Sequence, residues 1–484
     1  MTLATSILRR GVCALTLGCG LVALLQSPAA GPGIAVGDTH SWLAKLDRES
    51  PSPAAETVAA LATLDSAPIP GIRWRLARRE AWAHRVRRLA GRWAPGGDPP
   101  KSHEVETTRL GAVRFVETLG NRAETYLPDL AEALRVTRSR AVREVVLNIL
   151  RSLGDAAVPT CCALALDGDS LVRVGALTIL ANQAPGIPEN RPDHTVDIAA
   201  VCAASLASTN ETVLLASIGA LARLGEPASL AVDAVLPHLD HSNREVRGAA
   251  AAFLGRFPEA CERTLGPLIR ALDDAEPAVQ TAAATAVGRF GEPAAQAVPH
   301  LVRLLETGST PAAVAAAHAL GRVGPCAESS VQILASRLMA EGAPLVLRSS
   351  AATALGRIAR VPDIAVPALT GVVRHPEPYL SGSAIRALTS FGGDASSALP
   401  ELVEALHDPH ESVRVLAVGA LGGIGPAAAA AIPALQAARN NNQSVMSLPV
   451  IAAVSRIDGS AGQVPDPDLA EVSPGAPNPA TSAR

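Results

Sequence analysis

The sequence predicts an all-α protein built as a solenoid of stacked helical hairpins, and three observations carry that reading. Sequence marks recur with a period of about 33 residues, the signature of a repeat architecture. Apolar residues make up 48% of the chain while aromatics make up 2%, so the apolar mass is mostly Ala, Leu and Val. Such side chains favour helix and allow close helix pairs, whereas compact cores lean on large aromatics. Finally, 39 Gly and 38 Pro in 484 residues punctuate the helical stretches.

The marks repeat in a fixed order. An apolar run ends in Leu-Gly, as in Ala319-Leu320-Gly321-Arg322-Val323-Gly324 and Ala420-Leu421-Gly422-Gly423-Ile424-Gly425. The second glycine recurs at Gly154, Gly225, Gly291, Gly324, Gly392 and Gly425, with 33 residues from Gly291 to Gly324 and 33 from Gly392 to Gly425. A proline recurs at Pro237, Pro267, Pro299, Pro367, Pro400 and Pro433. A Val-Arg pair recurs at Val142-Arg143, Val172-Arg173, Val246-Arg247 and Val413-Arg414.

Each mark has a physical role. Pro237, Pro299 and Pro400 are expected to open a first helix, where a missing N–H costs nothing. Turn residues such as Asp240-His241-Ser242-Asn243 then cap a second helix beginning near Val246, whose Ala249, Ala250 and Ala252 permit close approach. Gly255 or its equivalent is expected to end that helix in the left-handed conformation. One hairpin cannot bury its apolar face alone, so the units must stack.

These residues resemble HEAT repeats of the bacterial type. Gly291-Glu292-Pro293-Ala294-Ala295-Gln296-Ala297-Val298-Pro299-His300-Leu301 is similar to the first half of that pattern, and Glu245-Val246-Arg247-Gly248-Ala249-Ala250 to the start of the second. The resemblance runs from about Arg109 to Asp458 and implies a right-handed α-α superhelical solenoid of about ten HEAT-type hairpins. It also implies that the second helices line the concave face, and that an Asp near the inter-helix turn pairs with an Arg early in the second helix. The matching positions are Asp169 with Arg173, Asp240 with Arg247, and Asp408 with Arg414, a structural ladder that lapses at Gln280, Ala315 and Ser381.

Around this core the chain divides as follows. Residues 1–29 carry Arg9-Arg10, an apolar run from Gly11 to Leu25 and small residues at Ser27 and Ala29, which is the layout of a signal peptide or a membrane anchor. Export, or association with a membrane through this segment, is the expectation. Residues 30–71 read as a linker with short helices, 72–120 as N-terminal capping helices, 121–458 as the repeat array and 459–484 as a disordered tail. Trp82, Val86, Leu89 and Trp93 fall on one stripe of a helix over residues 72–93, with arginines around it. A cap packing that stripe onto the first repeat is the favoured reading; contact with anionic lipid or a partner through Arg78, Arg85, Arg87 and Arg88 is the functional one. Residues from Asn182 to Asp197, with Pro185, Gly186, Pro188 and Pro192, read as a loop inserted at a repeat junction.

The search for chemistry finds little. Five cysteines follow the leader (Cys161, Cys162, Cys202, Cys261 and Cys326) without a CxxC pair, so zinc and dithiol chemistry have no support. Most of them read as buried small residues, with a disulfide from Cys202 to Cys161 or Cys162 as a minor alternative. P-loop, nucleophile-elbow and HExxH patterns are missing. His103-Glu104 and His410-Glu411 are too far apart for the iron site of the HEAT-type hydroxylase, and two Tyr and five Phe offer little stacking for the chromophores of HEAT-type bilin lyases. A net charge of −3 excludes a polyanion binder by bulk charge. The expectation is therefore a non-enzymatic protein-interaction scaffold of the cell envelope, with protein partners, no cofactor, no metal and no nucleic acid. Its second helices, exemplified by Thr281–Thr285 and Ala312–Ala317, should present a smooth, weakly charged surface. A lyase-like protein or enzyme accessory handling a small ligand is the runner-up, and a membrane-surface adaptor acting through residues 72–93 the third reading.

Overall fold

The computed structural model describes residues 102–183, 192–441 and 447–459. The expected leader, linker, Arg/Trp helix and tail lie outside them, as do Arg78, Arg85, Arg87 and Arg88. All regular structure among the described residues is helical. The chain separates into two compact units that divide after Ile187.

The first unit opens with α1 (Ser102–Thr118), then α2 (Leu127–Val136) and α3 (Arg140–Ser152), then α4 (Val158–Leu166) and α5 (Ser170–Gln183). α3 shows the helical stripe plainly: Val142, Val146, Ile149 and Leu150 are buried while Arg140 and Arg151 face solvent. Ser139 caps it by accepting the Val142 N–H. Arg109 of α1 is only 2% exposed and is neutralised by Glu106 at 2.6 Å. Glu106 also accepts the Thr137 hydroxyl at 2.7 Å and the Arg138 N–H, which ties α1 to the end of the next hairpin's first helix.

The second unit runs through eight hairpins: α6 (Pro192–Ser205) with α7 (Glu211–Leu224), α8 (Val232–Val235) with α9 (Arg244–Leu254), α10 (Cys261–Ala271) with α11 (Pro277–Phe290), α12 (Val298–Thr307) with α13 (Thr310–Val323), α14 (Val331–Met339) with α15 (Leu345–Ile358), α16 (Pro362–Thr370) with α17 (Pro378–Thr389), α18 (Leu399–Ala405) with α19 (Glu411–Ile424), and α20 (Ile432–Asn441) with α21 (Ser447–Ile457). With α2–α3 and α4–α5 the described residues hold ten hairpins, as the period implies. The second helices pack most closely on one another, in the order α7, α9, α11, α13, α15, α17, α19, α21.

Small residues set that closeness. A Cβ on Gly288 would meet the Ala319 Cα at 2.8 Å, one on Gly321 the Ala354 Cα at 2.9 Å, and one on Gly356 the Ala387 Cα at 2.6 Å. The same contact joins Gly255 to Ala286 and Gly422 to Ala453. The first glycine of the Leu-Gly mark is therefore a packing residue. Gly255 has φ −67, which corrects the expectation that it stops α9 in the left-handed region. That role falls to the second glycine, as at Gly291 with φ +66, where the chain turns from one hairpin into a 3-10 turn leading to the next.

Two further expectations change. Pro192 opens helix α6, so residues 192–197 are helical and not loop. A proline at the first helical position is compatible with a helix start, and composition alone did not separate the two uses. Pro267 and Pro367 lie inside α10 and α16, and Pro237 lies in the 3-10 turn Leu236–Asp240 that continues α8. The first helices thus begin several residues before these prolines, whereas Pro299 and Pro400 do sit at helix starts. The apolar stretch Glu411–Asn440 has the length and composition of a membrane span, but Gly425 at φ +72 divides it into two helices of the repeat array.

Candidate partner-binding surface

A donor early in six of the second helices, α5, α9, α11, α15, α17 and α19, closes its own hairpin. The last carbonyls of a first helix and those of the turn after it have no intrahelical partner, and a donor early in the second helix supplies one. Arg173 Nε donates to the Ala165 carbonyl at 2.9 Å, and Arg247 Nη1 to the carbonyls of His241 and Ser242 at 2.9 and 3.0 Å. Arg348 Nε donates to the Leu338 carbonyl at 2.8 Å, and Arg414 Nη1 to those of Asp408 and Pro409 at 2.8 and 3.0 Å. Gln280 does the same to the Asp274 carbonyl at 2.8 Å, and Ser381 to that of Val373. So two of the three positions where the pattern lapses in sequence keep its function, and Ala315 alone of those three has no donor to offer.

The carboxylate pairing differs from the expected one. Arg247 does not pair with Asp240. It holds Asp274 of the next repeat through two hydrogen bonds of 2.7 and 2.9 Å. That hydrogen bonding holds the Asp274 carboxyl below the ordinary carboxylate range against a smaller opposing effect of burial. Asp169 caps α5 by accepting the Val172 N–H at 2.9 Å and lies 3.9 Å from Arg143 of the preceding hairpin. Asp408 accepts the His410 N–H at 2.8 Å and leaves its carbonyl, not its carboxylate, to Arg414. Arg348 stands 3.4 Å from His375, again one hairpin on. The ladder runs between repeats because the arginine stem is long enough to cross the close helix spacing, whereas the residue seven positions earlier lies behind the turn.

Few side chains of the second helices remain exposed. Ala312, Ala313, Ala315, Ala316 and Ala317 are buried, so α13 shows solvent little beyond Pro311, His318 and Arg322. The alanine run is core, contrary to the smooth exposed surface expected of it. Near the C-terminal ends of five successive second helices stand Arg223, Arg256, Arg289, Arg322 and Arg357, all exposed, at intervals of 33, 33, 33 and 35 residues. The surface is therefore charged along one edge. Among the described residues, no carboxylate lies within ion-pair distance of Arg256, Arg289, Arg322 or Arg357. Toward the other end of α15 and α17, Val346 and Tyr379 are 53% and 66% exposed and supply apolar contact area.

His318 lies within this edge. Burial, then the charges of Arg357 and Arg322, pull its pKa below the ordinary value, so it is neutral at pH 7. Its Nε2 is 3.2 Å from the Ser350 hydroxyl, the spacing of a nucleophile and its base. Ser350 instead donates to the Val346 carbonyl at 2.7 Å and is 6% exposed, and among the described residues no carboxylate pairs with the imidazole. The pair is poised to present a hydrogen-bonded ring, not to activate a hydroxyl. His238 is likewise lowered, by burial first and by His241 second.

Among the described residues, Cys161, Cys162, Cys202, Cys261 and Cys326 form no disulfide with one another, so the one considered for Cys202 is not made. Burial pushes Cys161 up to about 12, with the adjacent Cys162 adding to it, so it is an inert packing residue. No cluster of three or more His, Cys, Asp or Glu with metal-binding geometry occurs among the described residues.

Comparison with known proteins supports the repeat reading. The HEAT repeats family matches residues 232–313, 265–356 and 365–455. No curated protein matches the chain. Among solved structures, Kap95p, whose binding induces the switch loops of RanGDP to adopt the GTP-bound conformation, is 13% identical and covers 92% of this chain and 68% of its own, with a TM-score of 0.50. Importin beta is 14% identical and covers 87% and 68%, with a TM-score of 0.46. An engineered protein is 22% identical and covers 40% of this chain and 96% of its own, with a TM-score of 0.34. At such identities a likeness speaks for fold alone. Within residues 232–455 the chain carries HEAT repeats, and it is an all-α HEAT-repeat helical solenoid.

Proposed function

We propose that the chain is a non-catalytic protein-binding scaffold that engages its partner along the outward side of the second helices. The observation that carries this reading is the row itself. Successive second helices hold exposed side chains in register, with arginines along one edge and Val346 and Tyr379 at the other end of α15 and α17. Repeats stacked in this way offer an extended binding surface without a deep pocket. The Kap95p structure supports the reading as a solenoid that acts by binding another protein. Within the same proposal, residues 1–29 direct the chain out of the cytoplasm, cleaved as a signal peptide or kept as an anchor in the cell envelope.

The test is isolation of the full chain from native material with mass spectrometry of what accompanies it. A near-stoichiometric protein is expected, lost when residues 292–359, the two hairpins α12–α15, are deleted and helicity is retained. A preparation that carries a bound small molecule and no protein would move the reading to ligand handling. N-terminal sequencing of the same material checks the leader: a start at residue 30 supports cleavage, and an intact Met1 in a soluble cytoplasmic fraction contradicts export.

A further inference from the structure

The arginine edge of the second-helix row has a regularity that points to the chemistry of its occupant. We infer that it docks an acidic protein segment in polyproline-II conformation, with a carboxylate at every third residue; this rests on the scaffold reading and names its partner's chemistry.

Three observations support it. The first is the absence of internal neutralisation: Arg247, Arg263 and Arg303 reach carboxylates of the chain, whereas Arg256, Arg289, Arg322 and Arg357 reach none among the described residues. Arginines in a last helical turn also complement the helix dipole. That accounts for their sign, but not for five consecutive helices keeping one register. Glu259 and Glu292 follow Arg256 and Arg289 by three residues without pairing with them, and Pro325 and Arg360 stand at the same offset after Arg322 and Arg357. The α13–α15 end therefore carries no carboxylate at that offset.

The second observation is spacing. Packed helices lie about 8–10 Å apart, and the Gly-to-Ala contacts of α9, α11, α13 and α15 hold these close. A polyproline-II chain has three residues per turn and a rise of about 3.1 Å, so every third side chain returns to the same face after about 9 Å. The two repeats are of matching length, about 9 Å, so one carboxylate can face each arginine.

The third is a cluster at the α13–α15 end. The Arg357 stem crosses onto the preceding helix, where its Cδ would lie 3.4 Å from a Cβ on Gly321. This brings the guanidinium toward Arg322 and the neutral His318, which Ser350 holds. Two cations gather beside the ring, and among the described residues no carboxylate lies within ion-pair distance of either. One turn before the arginines stand Ala252, Thr285, His318 and Thr353, of which only His318 offers a ring for a nucleobase to stack on, so the edge suits a carboxylate-bearing peptide better than a single-stranded nucleic acid.

The experiment uses the full chain and a fluorescein-labelled peptide of six Asp-Pro-Pro units, read by anisotropy at low and physiological salt. We expect saturable, salt-sensitive binding that weakens at least tenfold in Arg289→Glu/Arg322→Glu/Arg357→Glu. A peptide of equal charge with Asp at every second residue should bind at least threefold more weakly. Arg322→Gln/Arg357→Gln serves if the charge reversal fails to fold. NMR of His318 should show its pKa rising when the peptide binds. Equal affinity for the folded variants, or tighter binding of an oligothymidylate than of the peptide, overturns the inference. Peptide binding that appears only after truncation at Gly459 assigns the edge to the chain's own Asp466, Asp468 and Glu471, and overturns an external partner. If a native partner is captured while the peptide does not bind, the scaffold reading stands and this inference falls; if neither occurs, both fall.

Discussion

Gly248 lies inside α9 and Gly255 is the glycine of the Leu-Gly mark at its end, and the two should answer an added methyl in opposite ways. A Cβ on Gly248 meets nothing within 4 Å, whereas one on Gly255 runs into the backbone of Ala286. Gly248→Ala is expected to stabilise the protein by about 0.5–1 kcal/mol through helix propensity. Gly255→Ala should destabilise it by about 1–3 kcal/mol through overpacking. Chemical denaturation of both variants checks the pair, and a matching sign would contradict the packing account. Ala359 shows the complementary case. It stands where the other repeats have a left-handed glycine and adopts φ +45 itself, so Ala359→Gly should gain about 0.5–1 kcal/mol. The glycine period was legible in the sequence. Which glycine turned the chain and which made room for a neighbour was not, because both needs favour the same residue and only the three-dimensional neighbour separates them.

At the scale of elements, the hairpin is held by donors from the second helix and by one well-formed pair to the next hairpin. Arg247 and Asp274 are 16% and 12% exposed, so the pair is screened less than a surface ion pair. Asp274→Ala should cost about 2 kcal/mol by leaving Arg247 half-satisfied. The depressed folded pKa of Asp274 fixes the pH sign: its contribution is whole above the unfolded carboxylate value of about 3.9 and is lost as pH falls through the folded value. The stability gap between wild type and Asp274→Ala should therefore close on acidification, and a gap that persists at pH 2 would argue against the ion pair as its source. One junction uses a different fit. Thr389 occupies a packing-glycine position, and its methyl lies where a Cβ on Gly423 would fall. Gly423→Ala should destabilise, and Thr389→Ser, which removes that methyl, should restore most of the loss in a double-mutant cycle. Val-Arg marked the second helices correctly in the sequence. The arginine's partner was misplaced because a seven-residue spacing within one hairpin was easier to see than a 27-residue step to Asp274.

At the scale of the whole molecule, the two readings that mattered came from different sources. Period and composition gave the helical hairpins and their number, since every unit repeats the same burial problem. The charged edge was hidden by the bulk charge of −3 and by the alanine runs, because neither counts which residues remain outside once the helices stack. Ala312–Ala317 vanish into the core, and the few residues left over, such as Arg289, Arg322 and Arg357, define the surface. Stability in such an array is nearly a sum over neighbouring hairpins, so a surface change should weaken a partner without unfolding the chain. The most direct test of the scaffold account is quantitative partner recovery with Val346→Glu/Tyr379→Glu on the second helices and Ser336→Arg on first helix α14 as control. The account predicts at least tenfold less partner for the first and unchanged recovery for the second. Equal recovery for both, from folded protein, would contradict binding along the second-helix row.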